Sequence, residues 1–185
     1  DQTFEKPEVR LDTDRLAEPE TTNYALIGTA FDYVLRFWLE REYDGVSSKQ
    51  WVAHTGLTLA QSLPIDADTR DGSSLPEIMS DAEAHHQEYL ETGEMTDDLL
   101  ASTLDLARLD WVYRSGQPPK NLGEASEGDI SDLRRLYDII PKKEFTGAKS
   151  VLLNPNFGSA STLVSGADAD IVLDSMLLDI KTVKE

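Results

Sequence analysis

Between Asn23 and Tyr43 the chain is apolar on almost every side of a helix, with Tyr24, Leu26, Ile27, Phe31, Val34, Leu35, Phe37, Trp38 and Leu39. A helix of that kind cannot lie on a surface; it must be covered on most sides. Thr21, Thr22 and Asn23 each offer a capping oxygen at its start. Within it Gly28, Asp32, Arg36 and Glu40 recur every fourth residue as one slowly drifting polar stripe. Buried charge requires partners. The stripe is therefore either an internal Asp32–Arg36–Glu40 ladder or the lining of a catalytic cleft.

The covering elements follow in order. Ser47–Leu63, with Trp51, Val52, Leu57 and Leu59, reads as a second helix, and Asp66–Ser74 as a polar break. Leu75–Thr92 is an acidic helix carrying Ile78, Met79, Ala82, Tyr89 and Leu90 on a thin apolar stripe. Thr96 caps the next helix, with Asp97 and Asp98 suiting the dipole of its first turn, and that helix runs to about Arg114. A loop near 116–129 precedes a last helix, Asp132–Ile140, capped by Asp129 or Ser131 and ended by Pro141. Residues 47–140 thus form a helical middle. Ser150–Asn154 is a strand, Pro155, Asn156 and Gly158 make a turn, and Ser161–Ser165 leads onward. Ahead of all this, Asp1–Thr22 is an acidic leader with Pro7 and Pro19 and reads as a loose tail. The expected division is a leader, 1–22, and one domain, 23–185.

The chain closes on a second constraint, GADADIVLDSMLLDIKTVKE from Gly166 to Glu185. Two apolar strands, Ala169–Leu173 and Met176–Val183, flank the turn-prone pair Asp174-Ser175. This register sets Leu173 against Met176, Val172 against Leu177 and Ile171 against Leu178. It continues to Asp170 opposite Asp179 and Asp168 opposite Lys181. Side chains two apart share a face, so Asp168, Asp170, Asp179 and Lys181 form one polar cluster. Paired carboxylates repel unless something lies between them, and a hard divalent cation such as Mg2+ removes the penalty. The plain alternative is an exposed hairpin with solvated charges.

Asp170, followed by Asp179-Ile180-Lys181-Thr182 at the end of an apolar strand, resembles the PD-(D/E)XK nuclease superfamily, in its RecB-like and lambda-exonuclease-like branches. The resemblance covers about the last 20 residues and, more weakly, the first helix. It implies a Mg2+- or Mn2+-dependent nuclease hydrolysing DNA phosphodiesters, with catalytic residues Asp170, Asp179 and Lys181. The metal ligands would be Asp170, Asp179 and the carbonyl of Ile180; Asp168 is the alternative first aspartate. RecB-like members carry Gly-Thr-x-x-His and an acid one turn on, on a helix beside the metal. Here Gly28-Thr29-Ala30-Phe31 fits, Asp32 stands at the histidine position, Arg36 at the acid, and Glu40 one turn later. Glu40 is the helix's catalytic candidate. The other outcome is a module of this shape that binds DNA or a partner protein without cutting.

The fold class expected is α+β: a helix-rich N-terminal part packed on a small, mainly antiparallel sheet. By resemblance this is a restriction-endonuclease-like core, incomplete at its C-terminal side, in a chain trimmed at one or both ends. Its 35 Asp and Glu against 17 Lys and Arg give a net charge of -18, yet 39% of residues are hydrophobic, too many for a disordered acidic chain. Such a surface suits a high-salt cytoplasm, with self-repulsion at low salt. The absence of cysteine excludes disulfides and thiolate metal sites. His54, His85 and His86 form no zinc pattern and are expected to face solvent. No apolar run is long enough to span a bilayer. Phosphate contacts supply most nucleic-acid affinity, and the densest basic cluster is Arg134, Arg135, Lys142, Lys143 and Lys149. It is either a DNA-binding patch or charge pairing with the abundant carboxylates.

Overall fold

The computed structural model describes residues 17–63, 69, 72–145, 147–155 and 170–178. Within them the order is α1 (Tyr24–Glu42), α2 (Val52–Ser62), α3 (Leu75–Thr92), α4 (Asp97–Ser115), α5 (Glu127–Asp138), the single turn α6 (Lys142–Phe145), then β1 (Val151–Leu153), β2 (Ile171–Leu173) and β3 (Met176–Leu178). The class is α+β and helix-rich. None of the described helices is long and apolar enough to cross a membrane.

The helix ends follow their local chemistry. Ser74 and Glu77 form a reciprocal capping box at α3: the Ser74 hydroxyl accepts from the Glu77 N–H and the Glu77 carboxylate from the Ser74 N–H at 2.8 Å. Donation from the Ser74 N–H and hydroxyl holds the Glu77 carboxyl below its usual range. Thr96 caps α4 by accepting from the Leu99 N–H at 3.2 Å, and Gly116, at φ 66°, ends it in the left-handed conformation.

The start of α5 departs from expectation. Ser126, not Asp129 or Ser131, is the cap, accepting from the Asp129 N–H at 3.0 Å, so the helix begins five residues earlier than the sequence pattern placed it. Its acids have long-range work instead. Asp132 accepts from the N–H groups of Glu20 and Thr21 at 2.7 and 3.0 Å and from the Thr21 hydroxyl at 3.0 Å. Asp129 accepts from the Asn23 side-chain amide at 2.9 Å, and the Asn23 side chain makes no cap bond to α1. Arg135 bonds the Glu18 carbonyl and the Glu20 carboxylate. Residues 18–23 are thereby pinned to α5, not a loose tail.

α1 is covered as its composition demands, from two directions. One side packs Ile27, Ala30, Tyr33, Val34 and Phe37 into the core shared with the other helices. The other side gives Leu35, Trp38 and Leu39 to a smaller core with Ile140, Phe145, Ile171 and Leu173. α4 is the second central element, against α1, α2, α3 and α5. At Gly56 of α2 the helices come so close that a Cβ would stand 1.8 Å from the Leu109 carbonyl oxygen of α4.

The sheet order is β1-β2-β3, antiparallel throughout. Ile171 pairs with Leu178, Val172 with Leu177 and Leu173 with Met176, the register the turn implies. Asp174 opens that turn at φ 51° and its carboxylate accepts from the N–H groups of Lys149 and Ser150 at 3.0 and 2.9 Å, tying the start of β1 to the hairpin. Ile171 and Leu173 face α1, whereas Leu152 and Leu177 on the opposite face are exposed. Asp168, Asp179, Ile180 and Lys181 lie outside the described residues, as do Asn156, Gly158 and Ser161–Ser165.

Candidate functional site

A cavity of about 850 Å3 opens where the first half of α1 meets the second half of α4. Helical spacing selects its lining. From α1 come Ala25, Gly28, Thr29 and Asp32; from α4, Arg108, Trp111 and Arg114, three apart and so on one face. Pro118 and Lys120 of the loop after α4 border it, and Asp170 closes it from the sheet side.

Asp170 is set there by its strand. The Asn154 N–H donates to its carbonyl at 2.9 Å, and the next residue, Ile171, is fully buried against α1. Strand alternation alone sends Asp170 to the open face with Val172. The residue instead occupies a bend before β2 and reaches the cavity.

Asp32 is the most perturbed acid of the site. Burial pushes its carboxyl up to about 6; Arg36 opposes this, while the charges of Asp170 and Asp110 add to it. Arg36 grips Asp32 with two nitrogens, Nε at 2.9 Å. One turn apart on a helix, they form the first rung of the ladder expected along the stripe. On α4, Asp110 pairs with Arg114, whose guanidinium is held above its ordinary range by that hydrogen bond. Asp110 also helps raise the Tyr33 hydroxyl, though burial is the larger cause. Arg108 is committed to Asp105 at 2.8 Å, and Asp105 also accepts from the Gly123 N–H at 2.8 Å, anchoring the loop. The Asp105 carboxyl is raised, burial outweighing those two bonds.

Among the described residues no set of three or more acids and histidines is arranged to hold a metal ion. The donors present are nonetheless of one hard-oxygen kind: Asp170, with Asp32 near enough to feel its charge, beside a space that admits water. That chemistry fits a partly hydrated divalent cation held by one or two carboxylates.

Glu40 is not brought to this cavity. It lies two turns, ~12 Å, beyond Asp32 along α1. Its carboxylate accepts from the Ser48 N–H at 3.0 Å and hydroxyl at 2.5 Å and meets His86 Nε2 at 3.1 Å. His86 does not face solvent: it is buried, with its ring 4.1 Å from that of Phe37 and edge-on to Trp51. Burial lowers its pKa, against the pull of Glu40. His85 bonds Ser102 at 2.8 Å, and partly exposed His54 bonds Glu83 at 3.0 Å.

Nor do the five basic residues singled out in the sequence border the cavity. Arg134 bonds the Met95 carbonyl and Asp97, Arg135 bonds Glu18 and Glu20, and Lys142 sits 4.2 Å over the Tyr137 ring. Lys143 and Lys149 are exposed. The cations that do reach it, Arg108, Arg114 and Lys120, are spread over α4 and its following loop, too sparse in sequence to register as a cluster. Comparison with protein-family models, curated proteins and solved structures found no match.

Proposed function

We propose that this chain is a metal-dependent nuclease whose site is the cavity between α1, α4 and Asp170. One observation carries the reading: Asp170, from the stretch that resembles PD-(D/E)XK nucleases, lines the same cavity as Gly28, Thr29 and Asp32, from the helix where the resemblance is weaker and Asp32 departs from it. The small core that Leu35, Trp38 and Leu39 of α1 share with Ile171 and Leu173 of the sheet supports the reading, since a restriction-endonuclease-like core packs a helix on its sheet.

Bound Mg2+ or Mn2+ would supply Lewis-acid polarisation of the scissile phosphate and a more acidic attacking water. Asp170, Asp179 and the Ile180 carbonyl would be its protein ligands. Lys181 would orient the attacking water and offset charge on the phosphoryl oxygens. Asp32, held by Arg36, is a second carboxylate on the same cavity as Asp170 and feels its charge. Arg114, its side chain 63% exposed, and Lys120 offer charge to the phosphates of an incoming strand. The substrate is DNA.

A second reading has its own support. Arg36 satisfies Asp32, and Ser48 with His86 satisfies Glu40, so the polar stripe is closed within the protein, as in a binding module that does not cut. Labelled single- and double-stranded DNA with Mn2+, from low to molar KCl, separates the two. Cleavage lost in both Asp170→Asn and Lys181→Ala, with folding intact, is expected. No cleavage and no Mn2+ binding at any salt would leave the module.

A further inference from the structure

We propose that Trp111 is a base-stacking platform, and that the strand entering the cavity is single-stranded nucleic acid. This rests on the nuclease reading for its chemistry but not for its binding. Trp111 lines the cavity with 60% of its surface open, whereas Trp38 and Trp51 are 4% and 5% exposed. An exposed indole is informative when it joins other apolar groups on a concave wall, where contiguous apolar surface marks a ligand site. Leu26, Ala107 and Pro118 line the same cavity, so a flat apolar ligand finds contact beyond the indole.

The charges bordering the cavity say which flat ligand. Arg114 and Lys120 stand on the same lining, Arg114 largely exposed although Asp110 holds one side of its guanidinium. In a chain of net charge -18, cations beside an open indole match a phosphate-linked base. Asp32, Asp110 and Asp170 lie on the cavity too and repel phosphate, so the strand's backbone follows Arg114 and Lys120 while its base turns onto Trp111. A base can offer its face only when unpaired. Duplex DNA has its faces stacked internally and presents at most its terminal pair.

Tyr113 supplies the control. It is 53% exposed on the same helix but about 200° round from Trp111, and it does not line the cavity. Because Trp111 is the one exposed tryptophan of the three, stacking reports itself in the protein's own fluorescence. The probe is a ~12-nucleotide oligothymidylate, set against a blunt duplex of equal length. Binding is read by anisotropy of a label and by tryptophan quenching, in EDTA and again with Ca2+.

The expected result is quenching by the single strand, with Trp111→Ala weakening binding roughly 5- to 140-fold. Trp111→Phe should keep most of the affinity, Tyr113→Ala all of it, and the duplex should bind more weakly. Equal binding by Trp111→Ala, equal binding of the duplex, or no quenching in either solution overturns the proposal. Cleavage with Mn2+ distinguishes the two readings. Stacking without cleavage removes the nuclease and leaves the platform; cleavage undiminished in Trp111→Ala removes the platform and leaves the nuclease.

Discussion

Replacing Glu40 by alanine should unfold this protein more readily without touching its site. Three donors converge on that carboxylate: the Ser48 N–H, the Ser48 hydroxyl and His86 Nε2. The surroundings are dry, with the Glu40 side chain 8% exposed and that of His86 4%. Each buried donor left unsatisfied costs about 1–3 kcal/mol. Because the three donors share one acceptor, these figures overlap; a loss of ~4 kcal/mol is expected, or ~12 °C in melting temperature for a chain this size. Glu40→Gln keeps an acceptor oxygen and should lose about half as much. The sign of the pH dependence follows from His86. Its folded pKa lies below 6.5, so the stability it carries is fully present above pH 6.5 and is lost as pH falls through the folded value. Without Glu40 nothing opposes burial, and that loss should steepen. Urea unfolding at fixed KCl measures all of this. A change under ~1 kcal/mol in Glu40→Ala would refute the reasoning, as would normal stability with lost DNA cleavage, which returns Glu40 to the catalytic role its spacing suggested.

Gly56→Ala should be strongly destabilising for a substitution of one methyl, about 1–3 kcal/mol or more, because the clash is with the backbone of Leu109 and not with a side chain that can swing away; a melting temperature unchanged from wild type would mean that α2 and α4 are less closely packed. The Asp32 carboxyl should titrate near 6 by carbon-detected NMR, well above 3.8. Since its folded value is raised, its contribution to stability is present at low pH and falls away as pH rises from about 4 through 6, by up to ~3 kcal/mol; a midpoint under 4 would show that Arg36 outweighs burial.

Local signals carried the sequence reading a long way. The Asp174-Ser175 turn and the alternation around it were enough to set the β2–β3 register, because a one-residue slip exposes every buried side chain of the strand. Leu75–Thr92 and the Thr96 cap were readable for the same reason: their determinants lie within four residues. The failures share the opposite property. Asp129 and Asp132 look like first-turn acids, yet their partners are more than 100 residues away at Thr21 and Asn23. His86 looked exposed because nothing nearby in sequence announces Glu40 or Phe37. Within the candidate site, Asp170, Gly28 and Asp32 were singled out in the sequence, but Trp111, Asp110 and Arg114 read only as part of a helix. Their place beside Asp170 is a product of how α4 crosses α1, which no spacing rule encodes.

The position of α1 between two cores of unequal size also bears on how the site assembles. Among the described residues the helical-side cluster is extensive, while the sheet-side one holds Leu35, Trp38, Leu39, Ile140, Phe145, Ile171 and Leu173. If the sheet layer opens on its own, amide exchange in β2 should proceed while α1 and α4 stay protected. Each such opening carries Asp170 away from Asp32. Any ligand that needs both carboxylates would therefore slow exchange in β2 by mass action, making the hairpin's protection a readout of site occupancy.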